Sequence, residues 1–141
     1  MIDADGVASG LNELLGLTYP ETTPDRVVVE FTIGPQHLQL FGIPHGGVYC
    51  AVHEAAASIG ALTWLNRDVP EGGPIQPAVG SNNSTDFLRQ AKVGDAITTT
   101  ATPIHRGRTQ QLWRVESVDQ NNKLIAQGQV RMANLPSAET R

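Results

Sequence analysis

The sequence is poor in residues on which several protein classes depend. Cys50 is the only cysteine among 141 residues, which excludes an intrachain disulfide and a cysteine-rich zinc site. Lysine and arginine total 10 against 14 acidic residues, for a net charge of -4. Binding through nucleic-acid phosphates or to an anionic membrane surface needs a basic excess that this chain lacks. We therefore predict neither nucleic acid nor membrane as a partner.

Long hydrophobic runs are also missing. The most apolar segment, residues 48–65, is rich in alanine and contains His53 and Glu54, so it predicts a buried helix and not a membrane span. The first five residues carry Asp3 and Asp5, where a secretory signal carries lysine or arginine. We expect a soluble cytoplasmic protein, and a chain of this length suits a single domain over residues 1–141.

Periodicity and turn residues divide the chain into helices and strands. Asp5 is a possible cap for a short helix through Leu15, with Leu11, Leu14 and Leu15 as its apolar stripe and Gly16 as its stop. Residues 26–33 alternate like a strand, and residues 46–64 form the long helix. Proline and glycine in residues 68–77 predict a linker.

The second half of the chain has the pattern of an antiparallel sheet. Four strand-like runs are separated by short turn signals, which requires neighbouring strands to be antiparallel. These runs cover residues 78–88, 96–104, 109–118 and 123–133. The predicted architecture is α+β, with about five antiparallel strands packed on one dominant helix.

The long helix carries two stripes of residues at helical spacing. The apolar stripe predicts the side that faces the sheet, and consists of Val48, Val52, Ala55, Ile59 and Leu62. The second stripe is made of small residues and one acid, namely Gly47, Cys50, Ala51, Glu54, Ala57, Ser58 and Ala61. Small side chains allow close approach by another backbone, so we expect a partner subunit to cover this second stripe.

The start of the long helix combines two groups useful for acyl chemistry. Gly46 and Gly47 lie where unpaired backbone N–H groups can polarise a carbonyl, and Glu54 is a possible nucleophile or general base. Eight residues separate Gly46 from Glu54, which is roughly 12 Å along a helix. A second copy of the chain is therefore expected to bring the two groups together, unless they are an ordinary turn and a surface glutamate.

Several short motifs follow one another in a particular order. Gln39 and Gly42 precede His45-Gly46-Gly47, and Glu54 is followed by Ser58 one turn later. Further motifs lie at residues 86–89, 94–95, 105–109, 124–126 and Gly128. With this set the chain resembles the hotdog-fold acyl-CoA thioesterases, in the branch that includes the phenylacetate-pathway (PaaI-like) and Arthrobacter-type 4-hydroxybenzoyl-CoA enzymes.

The resemblance implies hydrolysis of an acyl-CoA thioester without a metal or redox cofactor. It implies Glu54 as nucleophile or general base, the Gly46 amide and Gln39 as oxyanion donors, and Ser58 as an assisting hydroxyl. Gly47 and His45 would lie beside the substrate, with His45 mainly shaping the turn. The resemblance also implies a homo-oligomer, most simply a dimer of dimers.

Four residues are candidates for the nucleotide end of coenzyme A. They are Arg89, Arg106, Arg108 and Thr109. Guanidinium groups bind phosphate oxygens in a fork, and a glycine-containing turn adds backbone donors. Each of these residues is equally well explained as a solvated turn or edge-strand residue.

Other functions stay open at this point. A hotdog hydratase or dehydratase would pair a helix acid with His45 or His53, and a regulator would bind acyl-CoA without turnover. A metal site of His45, His53 and Glu54 is disfavoured, because adjacent helix residues point about 100° apart. The lone Cys50 is expected to pack as a small side chain. The acyl group itself is not determined by the sequence.

Overall fold

The structure, a computed structural model, describes residues 9–137. Two helices and six strands lie in this range, together with a short 3-10 turn at Pro35–His37. The helices are α1 (Leu11–Leu14) and α2 (Gly46–Leu65). The strands are β1 (Thr18–Thr22), β2 (Val27–Thr32), β3 (Ala78–Phe87), β4 (Ala96–Arg106), β5 (Gln110–Val118) and β6 (Leu124–Asn134).

The strands form one antiparallel sheet that packs on the long helix. Its order is β1-β2-β4-β5-β6-β3, so β1 and β3 are the outer strands. The helix α2 contacts all six strands, which means that the sheet curls around it. The predicted α+β layout and the bounds of the long helix are confirmed. None of the helices in residues 9–137 is long and apolar enough to cross a membrane.

Strand β1 was not predicted from the sequence. Its residues, Thr18–Thr22, include Pro20 and have no alternation of apolar side chains. Proline is tolerated in an edge strand because its missing N–H can face outward. Pairing with β2 shifts register between Thr18 and Glu21. The sheet therefore has six strands where about five were predicted.

The prediction for the first helix was wrong in its apolar stripe. Leu11 and Leu14 are 60% and 74% exposed, and only Leu15 is buried. Gly16 takes a positive φ of 72° and ends the helix as predicted, after a single turn, so the chain turns toward the core only at Leu15 and Leu17. The proposed cap, Asp5, lies outside the described residues.

The faces of α2 also differ from the prediction. Val48, Val52 and Ile59 are buried as expected. Ala57 and Ala61 were predicted to be covered by a partner subunit, but they are fully buried within the chain itself. The curled sheet covers more of the helix than a flat one would. Of the small-residue stripe, Gly47 and Glu54 remain exposed and Cys50, Ala51 and Ser58 are half-buried.

A single tryptophan fills the centre of the core below the helix. Trp113 is fully buried and its indole N–H donates to Gln111 Oε1 at 3.0 Å. The ring lies against Gly60 so closely that a Cβ built there would be 2.6 Å from Trp113 Cη2 and 2.7 Å from Cζ3. Glycine at this position lets the sheet and helix approach each other.

Substituting this glycine is expected to lower stability. Gly60→Ala gains helix propensity but forces the indole aside, for a net loss of about 1–2 kcal/mol. Thermal unfolding measures this as a fall in Tm of roughly 3–8 °C. In a Trp113→Phe background the clashing ring atoms are gone, so the same substitution should cost less. An equal loss in both backgrounds would contradict the packing account.

Candidate active site

A tight loop leads the chain into α2 and presents Gln39. The Gln39 N–H donates to Ile43 O at 2.9 Å, and the Gly42 N–H donates to Gln39 O at 3.0 Å. Gly42 has a φ of 74°, which glycine adopts without strain. The side-chain oxygen of Gln39 accepts a hydrogen bond from the Phe41 N–H. Its amide nitrogen therefore remains as a donor.

The first residues of α2 leave one backbone donor free. His45 caps the helix, with its Nδ1 accepting from the Gly47 N–H at 2.8 Å and its carbonyl accepting from the Val48 N–H at 3.0 Å. Within residues 9–137 the Gly46 N–H has no acceptor. The free donor of the turn is therefore Gly46, and His45 has the structural role of a cap.

Gln39 and Gly46 open onto one cavity of about 450 Å³. Residues that line it include Pro44, Tyr49, Phe87 and Arg89. The Phe87 ring packs directly on Gly46, where an added Cβ would be 2.5 Å from Phe87 Cε2. The structure thus brings two hydrogen-bond donors and one guanidinium to the same cavity.

Glu54 and Ser58 open onto a different cavity, of about 340 Å³. It is lined mainly by apolar and small residues, among them Leu11, Ala51, Ala55 and Ile59. Within residues 9–137 the Glu54 carboxylate forms no hydrogen bond or ion pair, and the Ser58 hydroxyl faces Met132 Sδ at 3.9 Å. A single chain therefore holds the predicted site in two separate halves.

The other predicted coenzyme A residues lie far from Arg89. Arg106, Arg108 and Thr109 belong to the turn region between β4 and β5. Arg106 Nη1 contacts Asp25 Oδ1 and Pro24 O, each at 2.9 Å, and its guanidinium lies 5.3 Å from the Trp64 ring centroid. Trp64 is near the C-terminal end of α2, roughly 27 Å along the helix from Gly46.

The environment of His53 was not predicted from the sequence. This side chain is fully buried, with Nδ1 at 3.2 Å from Thr85 Oγ1 and Nε2 at 2.9 Å from Ser117 Oγ. The Asn83 amide, itself bonded to Thr85, donates to Cys50 O at 2.8 Å. These bonds tie the middle of β3 to α2. The visible signals are Ser117 at an inward position of β5, on the same face as Trp113 and Val115, and the run of polar residues in β3.

Burial of His53 also fixes its charge. Desolvation lowers its pKa from the ordinary 6.5 to about 4, so the imidazole is neutral near pH 7. It faces the core and not either cavity, which places it away from the acid that a hydratase would pair with it. Residues 9–137 contain no group of three or more His, Cys, Asp or Glu side chains placed to hold a metal ion.

The long helix α2, with the antiparallel sheet curled around it, forms a hotdog fold. The PaaI protein of E. coli has the same fold, with a TM-score of 0.81 at 23% identity over 95% of this chain and 90% of that one. The sequence pattern of the Thioesterase superfamily matches residues 41–126. The chain belongs to that superfamily and so to the hydrolases of thioesterase type.

More similar proteins are known by sequence and by structure. An esterase-like protein of Mycobacterium tuberculosis is 47% identical over 86% of this chain and 83% of its own. The crystal structure of AziG from S. sahachiroi has a TM-score of 0.82 at 46% identity, over 90% of this chain and 97% of that one. A 1,4-dihydroxy-2-naphthoyl-CoA hydrolase of Listeria monocytogenes is 30% identical over 82% of this chain and 88% of its own.

Neutral burial of His53 predicts a specific dependence of stability on pH. The unfolded chain protonates His53 below about pH 6.5, whereas the folded chain resists protonation down to about pH 4. Stability from this group is complete above pH 6.5 and falls by about 3 kcal/mol as the pH drops to 4. Denaturant unfolding of wild type and His53→Gln measures the difference. The same pH slope in both proteins between pH 6.5 and 4 would contradict this account.

Proposed function

We propose that the protein hydrolyses an acyl-CoA thioester at a site completed by two copies of the chain. Glu54 acts as nucleophile or as general base toward water. The Gly46 N–H and the Gln39 amide stabilise the oxyanion, and Ser58 assists the carboxylate from one turn further along α2. Arg89, on the same cavity as Gly46, contacts the coenzyme A part of the substrate.

The two halves of the site lie against opposite ends of one strand, and this observation carries the proposal. Glu54 Oε1 lies beside Gly80, near the start of β3, while Gly46 lies under Phe87, at its end. On α2 itself Gly46 and Glu54 are eight residues apart, which is roughly 12 Å along the helix axis. One chain cannot apply both halves to a single carbonyl carbon.

A second copy can close this gap by pairing along β3. The strand is ten residues long, contains no proline and has β6 as its neighbour on one side only. An unprotected edge of this kind is a template for another strand. A two-fold axis at Ser84 would pair Asn83 with Thr85 of the partner subunit and, because Ser81 is an extra residue in the ladder, Gly80 with Phe87 of the partner subunit. Glu54 would then lie beside Gly46 of the partner subunit.

The chemistry follows from this placement. The carbonyl oxygen of the thioester accepts hydrogen bonds from the Gly46 N–H and the Gln39 amide, which stabilise the charge that develops as the carbon becomes tetrahedral. Either Glu54 attacks this carbon or water attacks while Glu54 takes its proton. Coenzyme A leaves as the thiolate and is protonated, and water supplies the oxygen of the free acid. No metal ion is needed for these steps.

The acyl group is proposed to be aromatic. Two curated relatives, from Listeria monocytogenes and Arabidopsis thaliana, are named for 1,4-dihydroxy-2-naphthoyl-CoA. The Glu54 cavity has walls of small and aliphatic residues, which leave room for a flat ring system. Aromatic acyl-CoAs are therefore the first substrates to test, followed by medium and long aliphatic ones.

Thiol release measured across these acyl-CoAs tests the proposal. Wild type should cleave at least one of them, and Glu54→Ala should lower kcat by about 10³-fold or more, because it removes the group that drives attack. Glu116→Ala, which removes a carboxylate on the exposed face of β5, is the matched control and should keep full activity. Binding without cleavage, or cleavage by Glu54→Ala at the wild-type rate, would overturn the proposal.

A further inference from the structure

We propose that Gly80 is a positioning residue that sets where the Glu54 carboxylate lies. The inference rests on the proposed role of Glu54 and adds a residue of another element to it. Glycine at this place in β3 leaves a space that the carboxylate occupies. Any larger side chain would move the carboxylate away from the carbonyl carbon at which it acts, as nucleophile or as general base.

The Glu54 carboxylate contacts strand β3 directly at Gly80. A Cβ built on Gly80 would be 2.6 Å from Glu54 Oε1, 3.1 Å from Cδ and 3.4 Å from Cγ. These are three successive atoms of one side chain, so the glutamate lies flat against the strand at this point. The backbone of Gly80 forms one wall of the place where the carboxylate sits.

A bulge in β3 turns Gly80 toward the helix. Gly80 pairs with Met132 and Asn82 pairs with the next residue back, Arg131, so Ser81 is an extra residue in the ladder. Beyond the bulge, Asn83 and Thr85 are the side chains that face α2. Strict alternation back from Asn83 would put Ser81 inward and Gly80 outward, but the extra residue reverses this.

Each inward position of β3 after the bulge makes a defined contact with α2. Asn83 bonds to Cys50 O, Thr85 bonds to His53, and Phe87 packs on Gly46. At Gly80 the relation is reversed, because the strand has no side chain and the helix residue Glu54 fills the space. The strand therefore carries a gap at the one inward position that faces the proposed catalytic carboxylate.

The atoms that would meet an added methyl group belong to the flexible end of a side chain. Glu54 can rotate away from the methyl group without moving the backbone, so Gly80→Ala should fold normally with little change in stability. The carboxylate itself must shift by roughly 1 Å, a displacement that can lower catalysis by about 10²-fold. A large loss of rate with little loss of stability is the signature of a positioning role.

The experiment is a double-mutant cycle of Gly80→Ala and Glu54→Asp. The kcat for the best acyl-CoA is measured for wild type, both single variants and the double variant. Affinity is measured with the matching non-hydrolysable thioether analogue, stability by thermal unfolding, and subunit number by light scattering. Ser81→Ala, a neighbouring edge-strand substitution, is the control.

Gly80→Ala is expected to lower kcat by about tenfold to 10²-fold, while analogue affinity, Tm and subunit number stay near those of wild type and of Ser81→Ala. The carboxylate oxygens of aspartate reach only about as far as Glu54 Cδ, which is 3.1 Å from the added methyl group. The clash is therefore milder, and Gly80→Ala should lower kcat by a smaller factor in the Glu54→Asp background than in wild type. If Glu54→Asp has no measurable activity, the test is whether Gly80→Ala lowers kcat while its affinity for the analogue stays unchanged.

Three results would overturn this inference. They are an unchanged kcat for Gly80→Ala, a parallel loss of affinity or of subunit association, and an equal fold-loss in both Glu54 backgrounds. The Glu54→Ala variant separates these from a failure of the proposed function. Full activity of Glu54→Ala removes the role of the carboxylate altogether, whereas an inactive Glu54→Ala with a fully active Gly80→Ala removes only the role of Gly80.

Discussion

The close packing of strand β3 along helix α2 is the constraint on which the rest of this structure depends. Four inward positions of the strand meet the helix, by hydrogen bonds at Asn83 and Thr85 and by ring or carboxylate contacts at Phe87 and Gly80. The buried imidazole of His53 joins this seam to Ser117 in the core. Both proposed halves of the site, Glu54 and Gly46, therefore contact the same strand.

The strand that contacts both proposed halves of the site, β3, is also an outer strand of the sheet. Helix contacts use the inward face of β3, and β6 uses one edge, so the other edge has no partner strand among residues 9–137. Glycines at 46 and 80 allow Phe87 and Glu54 to approach the opposite element closely. The same small residues that permit dense packing thus set the positions of the groups proposed to react.

Much of this could be predicted from sequence because it depends on local periodicity. The bounds of α2 and of five strands follow from apolar spacing and turn residues, and the order of Gln39, Gly46, Glu54 and Ser58 indicated the family. Strand β1 could not be predicted, since Pro20 breaks its pattern and only pairing with β2 stabilises it. Its absence from the prediction left the sheet one strand short.

Features that depend on tertiary packing could not be predicted from the sequence either. The burial of Ala57 and Ala61 depends on how far the sheet curls. Likewise, the polar partners of His53 come from strands more than 30 residues away. The role of Gly80 was not predictable either. The bulge at Ser81 decides that Gly80 faces the helix, and only the folded structure shows that Glu54 fills the space there.

The most direct test of the central claim is activity in mixed dimers. Gln39→Glu keeps the acceptor for the Phe41 N–H but replaces the amide donor, and Glu54→Ala removes the carboxylate, so each variant alone should be nearly inactive. If the site spans two copies, a dimer of one variant with the other contains one intact site. An equal mixture should then recover about a quarter of wild-type activity. Mixed dimers seen by native mass spectrometry with no recovered activity would contradict the account.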